Sequence, residues 1–133
     1  MLKPLLAAAL LAAATPAPAQ RMEAEADCAP AGEALAYDCA FRVTSAGAPV
    51  EGARFTVRPD MPSMPMAHNL APVAAEPGDA PGRYRAPLRL DMHGRWTLRL
   101  DFAAPRRDAV ILGGEFRPDA AVMDGGAGAG HGH

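Results

Sequence analysis

Between residues 83 and 102 the chain alternates, position by position, between an apolar and a charged side. Tyr84, Ala86, Leu88 and Leu90 are separated by Arg85, Pro87 and Arg89; after Asp91-Met92-His93-Gly94, Trp96, Leu98, Leu100 and Phe102 are separated by Thr97, Arg99 and Asp101. A period of two marks half-buried β-strands, because successive side chains point to opposite faces of a sheet. Two such strands around a four-residue connection read as a β-hairpin. Pro87 has no N–H to give to a ladder, so it predicts a free edge or a bulge at its position.

The same alternation predicts strands over residues 35–43, with Leu35, Tyr37, Cys39, Phe41 and Val43 inward, and over residues 53–58, with Ala53, Phe55 and Val57 inward. A fifth strand is predicted over residues 109–116, interrupted by Gly113-Gly114. No helical periodicity of useful length follows residue 20. Several short strands punctuated by turns predict an all-β fold, an immunoglobulin-like antiparallel β-sandwich.

The first residues, MLKPLLAAALLAAATPAPAQ, contain Lys3, an apolar run from Leu5 to Ala14 and the small-residue site Ala17-Pro18-Ala19. That is the layout of a secretory signal peptide cleaved after Ala19, and the run is too short to span a bilayer, which takes about 20 residues. The expected organisation is a signal peptide at 1–19, one sandwich domain at 20–123 and a flexible Gly/Ala/His tail at 124–133. Periplasmic or secreted localisation follows, with no membrane span in the mature chain. Beyond the signal, twelve arginines face fifteen carboxylates, a formal charge of −3. Such a balance argues against a nucleic-acid partner or electrostatic capture by a membrane surface. In an oxidising compartment Cys28 and Cys39 are expected to form a disulfide.

The residues with chemistry lie in PDMPSMPMAH, positions 59–68. Thioethers are soft donors that select Cu(I), imidazole joins them readily, and neither needs a thiolate, so Met and His together in an exported chain suggest copper. In an extended backbone Met64, Met66 and His68 project to one side, about 6.6 Å apart per pair. Met61 is out of phase with that series and needs a turn at Pro62-Ser63 to join it. By strand phase Met92 emerges at the end of the sandwich on its core side, with His93 pointing the other way; if the 59–68 loop folds over that end, Met92 completes a soft site and His93 is an accessory ligand. The candidate metal ligands are therefore Met64, Met66, His68 and Met92, with Met61 and His93 behind them. The tail's His131 and His133 are expected to add little.

Arg83, Arg85, Arg89, Arg95 and Arg99 read as a solvated face. The sequence contains no Gly-rich phosphate loop, no His-Glu-x-x-His and no serine nucleophile elbow, so an enzyme is not expected. A different reading of the same loop is a protein-interaction module whose methionines form an adaptable apolar contact surface without metal.

The run from Gly47-Ala48-Pro49-Val50-Glu51-Gly52-Ala53 through Met61-Pro62-Ser63-Met64-Pro65-Met66-Ala67-His68, then Pro81-Gly82-Arg83-Tyr84 and Met92-His93-Gly94-Arg95-Trp96, resembles the YtkA-like domain family, which is related to the FixH-type proteins of cytochrome oxidase assembly. The resemblance covers about residues 40–102. It implies an immunoglobulin-like sandwich in the periplasm or on the cell surface, linked to copper handling, with Met64, Met66, His68 and Met92 at the soft-residue positions. A copper-receiving protein, or a component of an efflux system or an oxidase, is the partner it implies. A cleavable signal in place of a retained anchor sets this chain apart from the FixH-type plan.

Overall fold

The computed structural model describes residues 2–4, 7–9 and 20–125. Most of the expected signal segment and the tail from residue 126, with His131 and His133, lie outside the described residues. Ten strands follow in chain order: β1 (Met22–Pro30), β2 (Ala36–Ser45), β3 (Ala48–Pro49), β4 (Arg54–Asp60), β5 (Val73–Ala74), β6 (Glu76–Pro77), β7 (Arg83–Arg89), β8 (Gly94–Ala104), β9 (Asp108–Phe116) and β10 (Ala121–Met123). They form two five-stranded sheets, β1-β2-β7-β6 with β3 also on β2, and β10-β9-β8-β4-β5, in which every pairing is antiparallel. The all-β sandwich expected from the alternation is the fold of the chain.

The inward rows are those the period of two marked, except at Leu35, which lies half-buried in the turn before β2 with φ +64°. Tyr37, Cys39, Phe41 and Val43 of β2 and Tyr84, Ala86 and Leu88 of β7 are buried against Phe55 and Val57 of β4 and Trp96, Leu98, Leu100 and Phe102 of β8. Edge-to-face aromatic pairs join the two layers: Tyr37 with Phe116 at 5.0 Å, Phe41 with Phe55 at 5.9 Å and Phe55 with Tyr84 at 5.3 Å between ring centroids. Such pairs add about 0.5–1.5 kcal/mol each beyond the area they bury. Tyr84 also donates its hydroxyl to Val50 O at 2.6 Å and accepts from Ala53 N at 2.9 Å, so this buried phenol is satisfied by the turn before β4.

Three features differ from the expectation. β7 and β8 are not a hairpin: β7 pairs with β2 and β6, β8 with β4 and β9, and the 90–94 connection crosses from one sheet to the other. Alternation reports which face of a strand is buried, and that face is the same whether the neighbouring segment lies beside it or opposite. The pair Gly113-Gly114 does not interrupt β9, since β10 packs directly over it: a Cβ on Gly114 would lie 2.5 Å from Met123 Sδ. Lastly, β1 precedes the first predicted strand, although Met22, Ala24, Ala26 and Cys28 alternate with Glu23, Glu25 and Asp27. Pro87 sits as predicted on a free edge, because β6 reaches only to Arg85.

Cys28 and Cys39 are directly opposite in the β1–β2 ladder and form a disulfide. That bond, and the finding that no helix among the described residues is long and apolar enough to cross a membrane, are compatible with an exported protein. The start of β1 is fastened to the other sheet by Asp108, which accepts from Met22 N and from Ala109 N, both at 2.8 Å.

Two outcomes follow. Replacing Cys28 and Cys39 by Ser should lower the unfolding free energy by about 3 kcal/mol in the chain-entropy account of a short loop, read by denaturant titration. The two backbone N–H groups, Met22's first, hold the Asp108 carboxyl below the usual carboxylate range. A lowered folded-state value stabilises fully above the unfolded value of about 3.9 and is lost as pH falls through and below it. Asp108→Asn should therefore flatten the acid limb of the stability profile between pH 5 and 2 and lower stability at neutral pH.

Candidate functional site

The loop that leaves β4 is built by its prolines. Met64 N donates to Met61 O at 2.9 Å and Ala67 N to Met64 O at 3.2 Å, so residues 61–64 and 64–67 are two successive β-turns. Pro62 and Pro65 take the second position of each, where a fixed φ near −65° fits. The extended backbone expected for this stretch is absent because tight turns suit the same prolines.

The turns sort the methionines. Met61 is only 3% exposed and belongs to the core cluster, which differs from its expected display in a loop. Met64, shared by both turns, is exposed, and Met66 is 96% exposed. Met66 has φ +65°, at the third position of a turn with proline second, the type II pattern that glycine normally fills. A side chain there costs about 1–2 kcal/mol. Beyond the second turn the chain folds back, and the His68 side chain is only 9% exposed.

Three contacts hold His68. Its ring lies 5.0 Å from that of Trp96, tilted by 54°. Its Nδ1 is 2.7 Å from Asp91 Oδ2. Its Nε2 is buried and has no hydrogen-bond partner. With Asp91 accepting from Nδ1–H, the neutral ring carries its lone pair on Nε2, the arrangement by which carboxylates orient metal-ligating histidines.

Asp91 comes from the corner between β7 and β8, so the two loops meet. That corner is itself pinned: Trp96 Nε1 donates to Met92 O at 3.1 Å, and Gly94, at φ +138°, starts β8 where a Cβ would come within 3.3 Å of Met61 Cε. Met92 is exposed and His93 partly exposed on this corner. Met66 and His68 line one cleft together with Arg58, Thr97, Arg99 and Ile111 on the outer face of the second sheet. No group of three or more His, Cys, Asp or Glu side chains gathers among the described residues, so a metal held here would rest on thioethers and His68. Asp91 went unread in the sequence, where it stood only as the first residue of the connection between two strands. Its position immediately before Met92-His93 was the available signal.

A family model described as YtkA-like matches residues 18–101, more than half of the chain. No curated protein and no solved structure matches it. The matched segment contains both turns, His68, Asp91 and Trp96, and ends before β9.

Met66→Gly tests whether that side chain serves the fold. Glycine relieves the positive φ, so the variant should be as stable as the parent or more so by about 0.5–1 kcal/mol, measured by thermal unfolding. A loss of stability would mean that Met66 packs as part of the fold.

Proposed function

The chain belongs to the YtkA-like family, and from that premise we propose that it is an exported copper-binding protein, holding Cu(I) through loop thioethers and His68 for buffering or for transfer to a receiving protein. The observation that carries the reading is the His68 ring, aligned by Asp91 through Nδ1 and left with a buried, unpartnered Nε2, in a residue that lines one cleft with the exposed Met66. Donors of this kind fit Cu(I): a soft thioether and a neutral imidazole, with no thiolate available because both cysteines are in the disulfide. Met64, shared by the two turns, and Met92, on the β7–β8 corner with His93 next to it, are exposed further donors on the two loops, although the cleft itself is lined by Met66 and His68. Met61, buried against the Gly94 corner, supports the loop from below.

The role is binding and delivery rather than catalysis. Asp91 keeps the imidazole oriented, Trp96 forms the floor on which it rests, and the exposure of Met66 gives access to an incoming ligand. A cuproenzyme assembly component or an efflux system is the class of partner that such cargo requires. The exposure of Ile111 in the same cleft favours a second reading, in which Met66 and Ile111 make an apolar contact for another protein and no metal is bound.

Anaerobic Cu(I) titration against a competing chelator separates the two, with emission from the chain's one tryptophan, Trp96, as an internal reporter 5.0 Å from His68. One Cu(I) per chain is expected. His68→Ala and Met66→Ala should each weaken binding at least about tenfold, and Asp91→Asn about 10–100-fold, as loss of an orienting partner does. Unchanged affinity in both the His68→Ala and Met66→Ala variants would sink the copper reading.

A further inference from the structure

Arg58 of β4 and Arg99 of β8 are direct partners across their ladder, and Ile111 of β9 is the partner of Arg99 on its other side. All three are exposed on the outer face of the second sheet, and they line the cleft that contains Met66 and His68. Like charges directly opposite one another weaken a strand pair. Arg99 is compensated, since its Nε donates to Asp101 Oδ1 at 2.8 Å. Arg58 forms no ion pair among the described residues.

The positive charge continues past Arg99. A neighbouring cleft on the same face is lined by Arg99 and Asp101 together with Arg54 and Arg107, and neither of these two forms an ion pair among the described residues. Asp108, which also lines it, already accepts from Met22 N and Ala109 N. The lining of the two clefts therefore sets three uncompensated guanidinium groups against one free carboxylate, Asp60. They stand around the exposed side chains of Met66 and Ile111, on a chain whose formal charge beyond the signal is −3. Arg and Met are enriched where proteins touch and Lys is depleted, and a guanidinium forks onto a carboxylate through paired N–H groups.

We infer that this face docks a protein partner whose contact segment carries Asp or Glu side chains around an apolar centre, the carboxylates meeting Arg54, Arg58 and Arg107 and the centre resting on Ile111 and Met66. Local positive charge attracts such a partner and fixes its register, where the net charge of the chain would otherwise repel it. The inference goes beyond the copper reading and holds with or without the ion. On the copper reading, a partner docked here lies over Met66 and His68 and is the one that receives the cargo.

The test is a heteronuclear NMR titration of the copper-free full chain with a synthetic peptide in which glutamates flank leucine and methionine, and with its glutamine counterpart. The glutamate peptide should shift the amide resonances of Arg58, Arg99 and Ile111 and bind more weakly as salt is raised. Arg58→Thr should weaken its binding about fivefold, the upper range for one exposed ion pair. The same variant should keep or raise the melting temperature, because the ladder loses a like-charge neighbour. Arg85→Thr/Arg89→Thr, on the outer face of the first sheet, should leave the peptide affinity unchanged. Absence of binding, equal affinity for the two peptides, or an equal loss in the first-sheet variant would overturn the inference. So would sedimentation of the chain with phosphatidylglycerol vesicles that Arg58→Thr abolishes, which assigns the face to a membrane, or a concentration-dependent dimer lost in that variant, which assigns it to a second copy. Cu(I) affinity indifferent to His68→Ala, with peptide binding intact, would remove the copper reading and leave the docking surface standing.

Discussion

The burial of one row of side chains decides where everything else in this molecule stands. Trp96, Leu98, Leu100 and Phe102 of β8 are buried against Tyr37, Phe41, Tyr84 and Leu88 of the opposite sheet. Because β7 and β8 lie in different layers, the chain between them must cross a gap of about 10 Å within a few residues. That crossing carries Asp91 and Met92 over the end of the sandwich, and the first inward residue of β8, Trp96, becomes the floor beneath it. His68 then has a flat aromatic surface below and a carboxylate beside it. Its orientation is imposed by the core and is not a property of the loop that bears it.

The legible part of the fold was the part encoded in single-strand patterns. Alternation identified which residues of β2, β4, β7 and β8 face inward, since burial of one face is a local property of a strand. The partner of that face is not local. Residues 84–90 and 96–102 have the same pattern as a hairpin and as an arch between sheets, and only the packing of β7 on β2 and β8 on β4 separates the two. β1 escaped notice because alanine fills two of its inward positions, Ala24 and Ala26, and a small side chain marks a buried face weakly.

At the site the residue types were legible and their geometry was not. Pro62 and Pro65 fit both an extended chain and the second position of a turn; the hydrogen bonds of Met64 N and Ala67 N decide for turns and so move Met61 inward and Met66 outward. Asp91 was invisible as a site residue because its role depends on a residue 23 positions earlier. Cys28 and Cys39, by contrast, could be paired from composition and compartment alone, and the ladder brings them face to face.

On the copper reading, the division of labour within the loop explains its strain. A cargo site must hold its ion and also release it, and these demands conflict when every ligand is fixed. Here His68 is clamped through Nδ1 and packed at a tilt against Trp96, whereas Met66 stands in solvent on a backbone conformation that costs energy to maintain. An incoming donor can approach from the Met66 side while His68 still holds the ion, so exchange does not require the site to open. The segment matched by the family model ends within β8, before Ile111. The floor and the oriented imidazole therefore lie within the matched segment, whereas the cleft's wall at Ile111 is supplied by β9, outside it.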